Sequence, residues 1–227
     1  MARMDEFREE REMMKERSLG ERLEYFWEYN KLNVIIALVA VISVVSIIYT
    51  VVTKEDIILE GVILNRYWTE MEGLGCDKIK SAYLEYRELD PEEYTISVNG
   101  ALIYADPDVA ELALESSEAV QIITSQALTA SLDFITGDVE SLMYFDEIEY
   151  LGDLRNYLTD EQIQAYSEYF VYSETHPSIP VILNVTGSKT LTEEYTRKNQ
   201  ELGICIIGNA PHVEELQLFV DYLMQDR

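Results

Sequence analysis

Residues 180–223 read PVILNVTGSKTLTEEYTRKNQELGICIIGNAPHVEELQLFVDYL. Two continuous apolar runs, Pro180–Val185 and Gly203–Ile207, are short and rich in β-branched side chains, the pattern of strands covered on both faces. Between them Thr190 and Glu193 have the spacing of a capping box ahead of Tyr195. Pro211 then opens a segment whose Val213, Leu216, Phe219, Val220 and Leu223 fall on one helical face. Strands separated by helices predict an α/β layer fold.

The same alternation extends towards the N-terminus. Ile57–Leu64 (IILEGVIL), Tyr94–Tyr104 (YTISVNGALIY) and Leu132–Thr136 (LDFIT) read as further strands. Asp106-Pro107 supplies an N-cap and a first-turn proline before Val109, Leu112, Val120, Ile123 and Leu128. Thr159 and Gln162 make a capping box before a helix carrying Ile163, Tyr166 and Phe170. The expectation for residues 54–227 is one three-layer α/β domain with a largely parallel sheet of about five strands.

Before that domain, residues 32–52 read LNVIIALVAVISVVSIIYTVV, without a charge. At about 1.5 Å per residue the stretch spans roughly 31 Å, close to a bilayer's hydrocarbon thickness. Tyr25, Trp27, Tyr29 and Tyr49 lie where an interfacial aromatic belt would. A buried core helix fits poorly, because no face is polar. A cleaved signal peptide fits poorly too, because the run is long and no small-x-small site follows it. The division expected is a cytoplasmic amphipathic helix over residues 1–30, a transmembrane helix over 31–53 and an extracytoplasmic domain over 54–227. Seven basic residues precede the span, whereas only Lys54 and Arg66 follow it closely, which orients the N-terminus to the cytoplasm and the C-terminal domain outside.

The chain carries 43 acidic and 17 basic side chains, a net charge of -26. Residues 1–31 hold 9 and 7 of these, net -2, so residues 54–227 hold the other 34 and 10, net -24. Such acidity excludes a nucleic-acid binder, which needs a basic surface. Two His and two Cys leave little for metal chemistry. Cys76 and Cys205 leave a disulfide or free thiols open, the apolar surroundings of Cys205 favouring a buried thiol. No HExxH, GxSxG or SxxK pattern occurs, and Asn209-Ala210 replace the residues a P-loop would need after Gly203 and Gly208. His176 and His212 read as turn and helix-start residues, and Asp106 and Asp108 as capping residues rather than a metal pair. No catalytic group, metal or cofactor is expected.

The stretch Ser131–Asp138, Tyr144-Phe145, Tyr150-Leu-Gly-Asp-Leu-Arg155 and Leu158-Thr159 resembles extracellular solute-binding proteins of the type 2 periplasmic-binding class. Gly203–Pro211, followed by Glu214, Phe219 and Tyr222-Leu223, is similar to their closing strand and helix. The whole arrangement over residues 20–227 also resembles uncharacterised single-pass membrane proteins of Gram-positive bacteria. The resemblance implies one lobe of a solute-binding fold, because about five strands leave no room for a second.

In open parallel sheets ligands sit beyond the carboxyl ends of the strands. Here those ends supply Asn65, Arg66 and Trp68, then Gly137 and Asp138, then Thr186, Gly187 and Ser188, and finally Gly208 and Asn209. They combine amides, a cation, a stacking aromatic and small residues, although ordinary strand-to-helix turns use the same types. The tyrosines at 144, 150, 157, 166, 169 and 172 are a second candidate surface. Two functions follow as expectations: a non-catalytic, membrane-anchored interaction module with an envelope protein partner, or a domain that binds a small solute.

Overall fold

The computed structural model describes residues 18–52, 54–66, 76–104, 113–194 and 200–227. It divides into a unit of residues 1–54 and a compact unit of residues 55–227. The first is dominated by α1 (Leu19–Val52), which runs unbroken for 34 residues. Within it Asn30–Thr50 has a mean hydropathy of 2.7 and none of it is buried, compatible with a membrane anchor or a signal sequence. Ser43 and Thr50 donate their hydroxyls back to the carbonyls of Val39 and Ser46, each at 2.9 Å. These two hydroxyls are thereby satisfied within the helix itself. Residues 1–17 of the helix expected over 1–30 and the Asp106-Pro107 start lie outside the described residues.

The second unit is built in chain order from β1 (Asp56–Ile63), α2 (Asp77–Tyr86), β2 (Tyr94–Asn99), α3 (Ala113–Leu128), β3 (Phe134–Asp138) and α4 (Val139–Glu147). There follow α5 (Asp160–Tyr166), β4 (Phe170–Tyr172), β5 (Pro180–Asn184), α6 (Lys189–Glu194), β6 (Leu202–Ile206) and α7 (Val213–Gln225). The strands form one sheet in the order β2-β1-β3-β6-β5-β4. Pairs β1–β2 and β1–β3 are parallel, whereas β3–β6, β5–β6 and β4–β5 are antiparallel.

Among the described residues the sheet is therefore mixed and six-stranded, not largely parallel with about five strands. A parallel crossover needs a helix that travels back along the whole strand. The described part of the β5–β6 connection has the six-residue α6, about 9 Å long, so a short return to an antiparallel neighbour results. The sixth strand, β4, takes Phe170 out of the helix expected there: α5 stops at Tyr166, one 3₁₀ turn follows, and the chain extends. Strand β2 ends at Asn99, short of Tyr104, because the Asn99 side chain accepts from Ala101 N at 3.0 Å and turns the backbone.

Alternation along the strands feeds two cores. Leu59, Ile63, Phe134, Ile204 and Ile206 join Ile79, Leu191, Leu216 and Phe219 in one. Val62, Ile135, Cys205 and Ile182 join Ile123, Ala127, Leu142 and Phe145 in the other. Adjacent strand residues enter different cores, as a pleated strand demands, so helices pack on both sheet faces. Each large apolar side chain buried in this way contributes about 1.5–3 kcal/mol.

Candidate functional site

Strand direction decides which ends meet. Because β5 and β3 are each antiparallel to β6, they run the same way, and β1 and β2 run with β3. The carboxyl ends of β1, β3 and β5 therefore share one edge with the start of β6. The carboxyl end of β6 lies at the opposite edge. Asn209 is there, donating from Nδ2 to the Ala127 carbonyl at 2.6 Å, and does not join the other predicted residues. Trp68 lies outside the described residues.

At the shared edge Asn65 donates from Nδ2 to Asp138 Oδ2 and to Ser141 Oγ, both at 2.9 Å. Its Oδ1 accepts from Tyr104 N at 2.8 Å, and its φ is 56°, a left-handed conformation that asparagine tolerates. Asp138 caps α4 by accepting from Ser141 N at 2.9 Å. Arg66 is buried and packs with Cys76 around Gly100, where an added Cβ would come within 2.8 Å of one and 2.7 Å of the other. Gly137 is buried too, its missing Cβ 3.2 Å from that of Leu64. These residues are joined to one another and to the fold by hydrogen bonds and close packing.

Beyond β5, Thr186 Oγ1 accepts from Leu202 N at 2.9 Å and Gly187 takes a φ of 98°. Ser188 is fully buried; its Oγ donates to Asp226 at 3.2 Å and accepts from Leu191 N at 3.4 Å. Ser188 thus starts α6, two residues before the expected cap at Thr190, whose N–H donates to Asp226 at 2.6 Å instead. Burial opposes the charge on Asp226, but the donors of Thr190 and Ser188 together with Lys189 outweigh it and hold the carboxyl below its usual range.

Next to Thr186 an open cleft of about 350 Å³ runs along β4. Its walls include Glu168, Tyr169, Asn184, Thr186, Glu201 and Arg227. Arg227 lies with its guanidinium 4.0 Å from the centre of the Tyr169 ring. Its Nε donates to the Thr186 carbonyl at 3.0 Å. The neighbouring Glu168 raises the pKa of the Tyr169 hydroxyl, and the Arg227 cation opposes it. Of this cleft the strand-end argument locates only Thr186. Glu201 arrives because β6 begins where β5 ends, and Tyr169 because β4 begins there, neither of which an apolar run reveals.

The tyrosines do not form one surface. Tyr144 stacks on Tyr104 at 4.7 Å and packs with the core that contains Phe145. Tyr157 and Tyr166 pack against the other core; the first donates to the Gly208 carbonyl, the second to Asp221 at 2.8 Å. Tyr172 is exposed. Cys76 and Cys205 belong to different cores and are not joined to each other by a disulfide. His212 precedes α7 and its Nδ1 lies 2.9 Å from Asp133, a fully buried carboxylate that also accepts from His212 N and Glu60 N. Among the described residues no three His, Cys, Asp or Glu side chains are grouped to hold a metal. No protein family, curated protein or solved structure matches this chain.

Proposed function

We propose that this protein is a membrane-anchored interaction module: α1 spans the cell membrane once, its N-terminus is cytoplasmic, and the α/β unit meets an envelope protein outside. The observation that carries this reading is the cleft beside β4. It is open, it adjoins a sheet edge that among the described residues has no strand beyond β4, and it displays two carboxylates on a unit of strongly negative charge. A sheet edge and a polar aromatic cleft are a common receptor for an extended chain. Charge of this sign selects partners with basic faces and speeds their encounter.

The test is site-specific photocrosslinking of the full chain in its own membrane. A crosslinker at Val171, which lines the cleft, should give one discrete protein adduct. The same group at Leu128, exposed on α3, should give none. Equal adducts at both positions, or none at either, would reject the reading.

A second reading keeps the resemblance to one lobe of a solute-binding protein and has the same cleft hold a small solute. Its volume of about 350 Å³ falls at the lower end of small-molecule pockets. A thermal-shift screen of the detergent-solubilised chain distinguishes the two. A solute at 100 times its dissociation constant adds about 2.7 kcal/mol to stability, so a screen without a stabilising compound rejects solute binding.

A further inference from the structure

We infer that the cleft along β4 recognises an arginine side chain of the partner protein, and that Arg227 occupies that position in the unbound chain. The inference rests on the interaction-module reading and adds the chemistry of the contact.

Arg227 displays what the cleft does with a guanidinium. Its planar cation lies over the face of Tyr169 at 4.0 Å, where the ring's negative face attracts it. Its Nε–H is taken by the Thr186 carbonyl at 3.0 Å. Glu168 and Glu201 both line the same cleft, so its walls carry two carboxylates against the one cation of Arg227. An aromatic face, an aimed carbonyl and a surplus of negative charge are the three elements that bind a guanidinium. Lysine uses them less well, because its ammonium is compact, strongly hydrated and does not stack as a plane.

Arg227 is itself exposed, and its contacts include a hydrogen bond to the Thr186 carbonyl and the Tyr169 ring. An exposed cation over an aromatic ring is worth little, about 0.5–1 kcal/mol. A partner arginine that also gains contacts along β4 can therefore displace it. While Arg227 covers the Tyr169 face, only the fraction of molecules with that face vacant binds an arginine there, and apparent affinity falls by that fraction. The partner's cation replaces an internal one, so the two carboxylates keep a counter-charge throughout. The proposal makes Arg227 a competitor, whereas an anion-binding cleft would make it a ligand contact. Those two roles give opposite signs on mutation.

The experiment is a titration of the full chain in detergent with the peptide acetyl-Gly-Arg-Gly-amide. The citrulline peptide, isosteric but uncharged, the lysine peptide and free L-arginine are the comparisons. Arg227→Ala should bind the arginine peptide several-fold to about tenfold more tightly than the wild type, the gain expected when a tethered competitor is removed. The lysine peptide and free L-arginine should bind more weakly, and the citrulline peptide should not bind. Tyr169→Ala in the Arg227→Ala background should abolish the gain, while Tyr169→Phe should retain it. Arg227→Ala binding unchanged or weaker than wild type would overturn the inference, as would citrulline binding equal to arginine. Free L-arginine binding as tightly as the peptide would overturn the assignment to a protein partner. If the Val171 adduct forms but no arginine probe binds, the guanidinium inference fails while the interaction module stands; if neither occurs, both fail.

Discussion

Asn65 on the turn after β1 and Asp138 at the head of α4 are joined by a 2.9 Å hydrogen bond across the sheet edge. The same Asn65 amide also holds Ser141 and receives Tyr104 N, so one side chain ties the ends of β1 and β3 to the chain after β2. Its left-handed backbone adds a second requirement that most side chains meet at a cost of about 1–2 kcal/mol. Asn65→Ala should therefore lower stability by about 2–3 kcal/mol. Asn65→Gly, which relieves the backbone but not the lost bonds, should lose about 1 kcal/mol less. Urea denaturation of the detergent-solubilised chain, followed by far-ultraviolet circular dichroism, reads the order.

Gly61 and Phe134 are paired residues of the parallel strands β1 and β3, and the ring lies where a glycine Cβ would point, 2.1 Å from it. The ring is also packed against Phe219 at 4.8 Å and cannot swing away freely. Gly61→Ala should cost about 1–3 kcal/mol through overpacking. Adding Phe134→Leu should recover part of that loss, although Phe134→Leu alone destabilises. A double-mutant cycle gives the coupling, and strict additivity would contradict the packing account.

Much of this was legible in the sequence, and the gaps have physical causes. Five apolar runs mark five strands, because buried strands need apolar residues on both faces. The capping box of Thr159 and Gln162 forms as its spacing implies, with both reciprocal bonds present. An apolar run carries no direction, however, so the reversal of β6 was not legible, and with it the removal of Asn209 to the far edge. Strand β4 has three residues and lies just beyond an amphipathic helix, too short to show its own period. The residues at the strand ends mostly close turns, and the cleft formed one strand further out.

Asp133 predicts a steeper loss. It is fully buried and accepts from Glu60 N at 2.7 Å, His212 N at 2.8 Å and His212 Nδ1 at 2.9 Å. Asp133→Ala leaves those partly buried donors without their acceptor and empties a fully buried site, and should cost roughly 2–4 kcal/mol. His212→Gln removes the ring contact but keeps the backbone donor to Asp133, and should cost less. Chemical denaturation of both variants tests the order.

Alkaline pH should destabilise the fold in two stages. Burial pushes the Cys205 thiol well above its usual range, so the folded state keeps a proton that the unfolded chain releases above about pH 8.5. A raised folded pKa gives stability that is complete below the unfolded value and is lost as pH climbs past it. Burial and then Asp221 push Tyr166 up to about 12, and burial and then Glu215 raise Tyr83, so a further loss begins near pH 10. The lowered Asp226 works at the other end: its contribution, present above the unfolded carboxyl value near 4, is lost as pH falls below it. Urea midpoints against pH should show these slopes, and Cys205→Ala should flatten the first.

Membrane orientation is tested most directly by labelling lysines of the full chain with an impermeant amine reagent on intact cells. Lys78 and Lys189 are exposed on the α/β unit, and Lys15 precedes α1. An outward-facing, membrane-anchored module predicts label on Lys78 and Lys189 in intact cells, and on Lys15 only after the membrane is opened, with the chain remaining in the membrane fraction. Label on Lys15 alone in intact cells, or recovery of the α/β unit as a soluble fragment lacking α1, would contradict it.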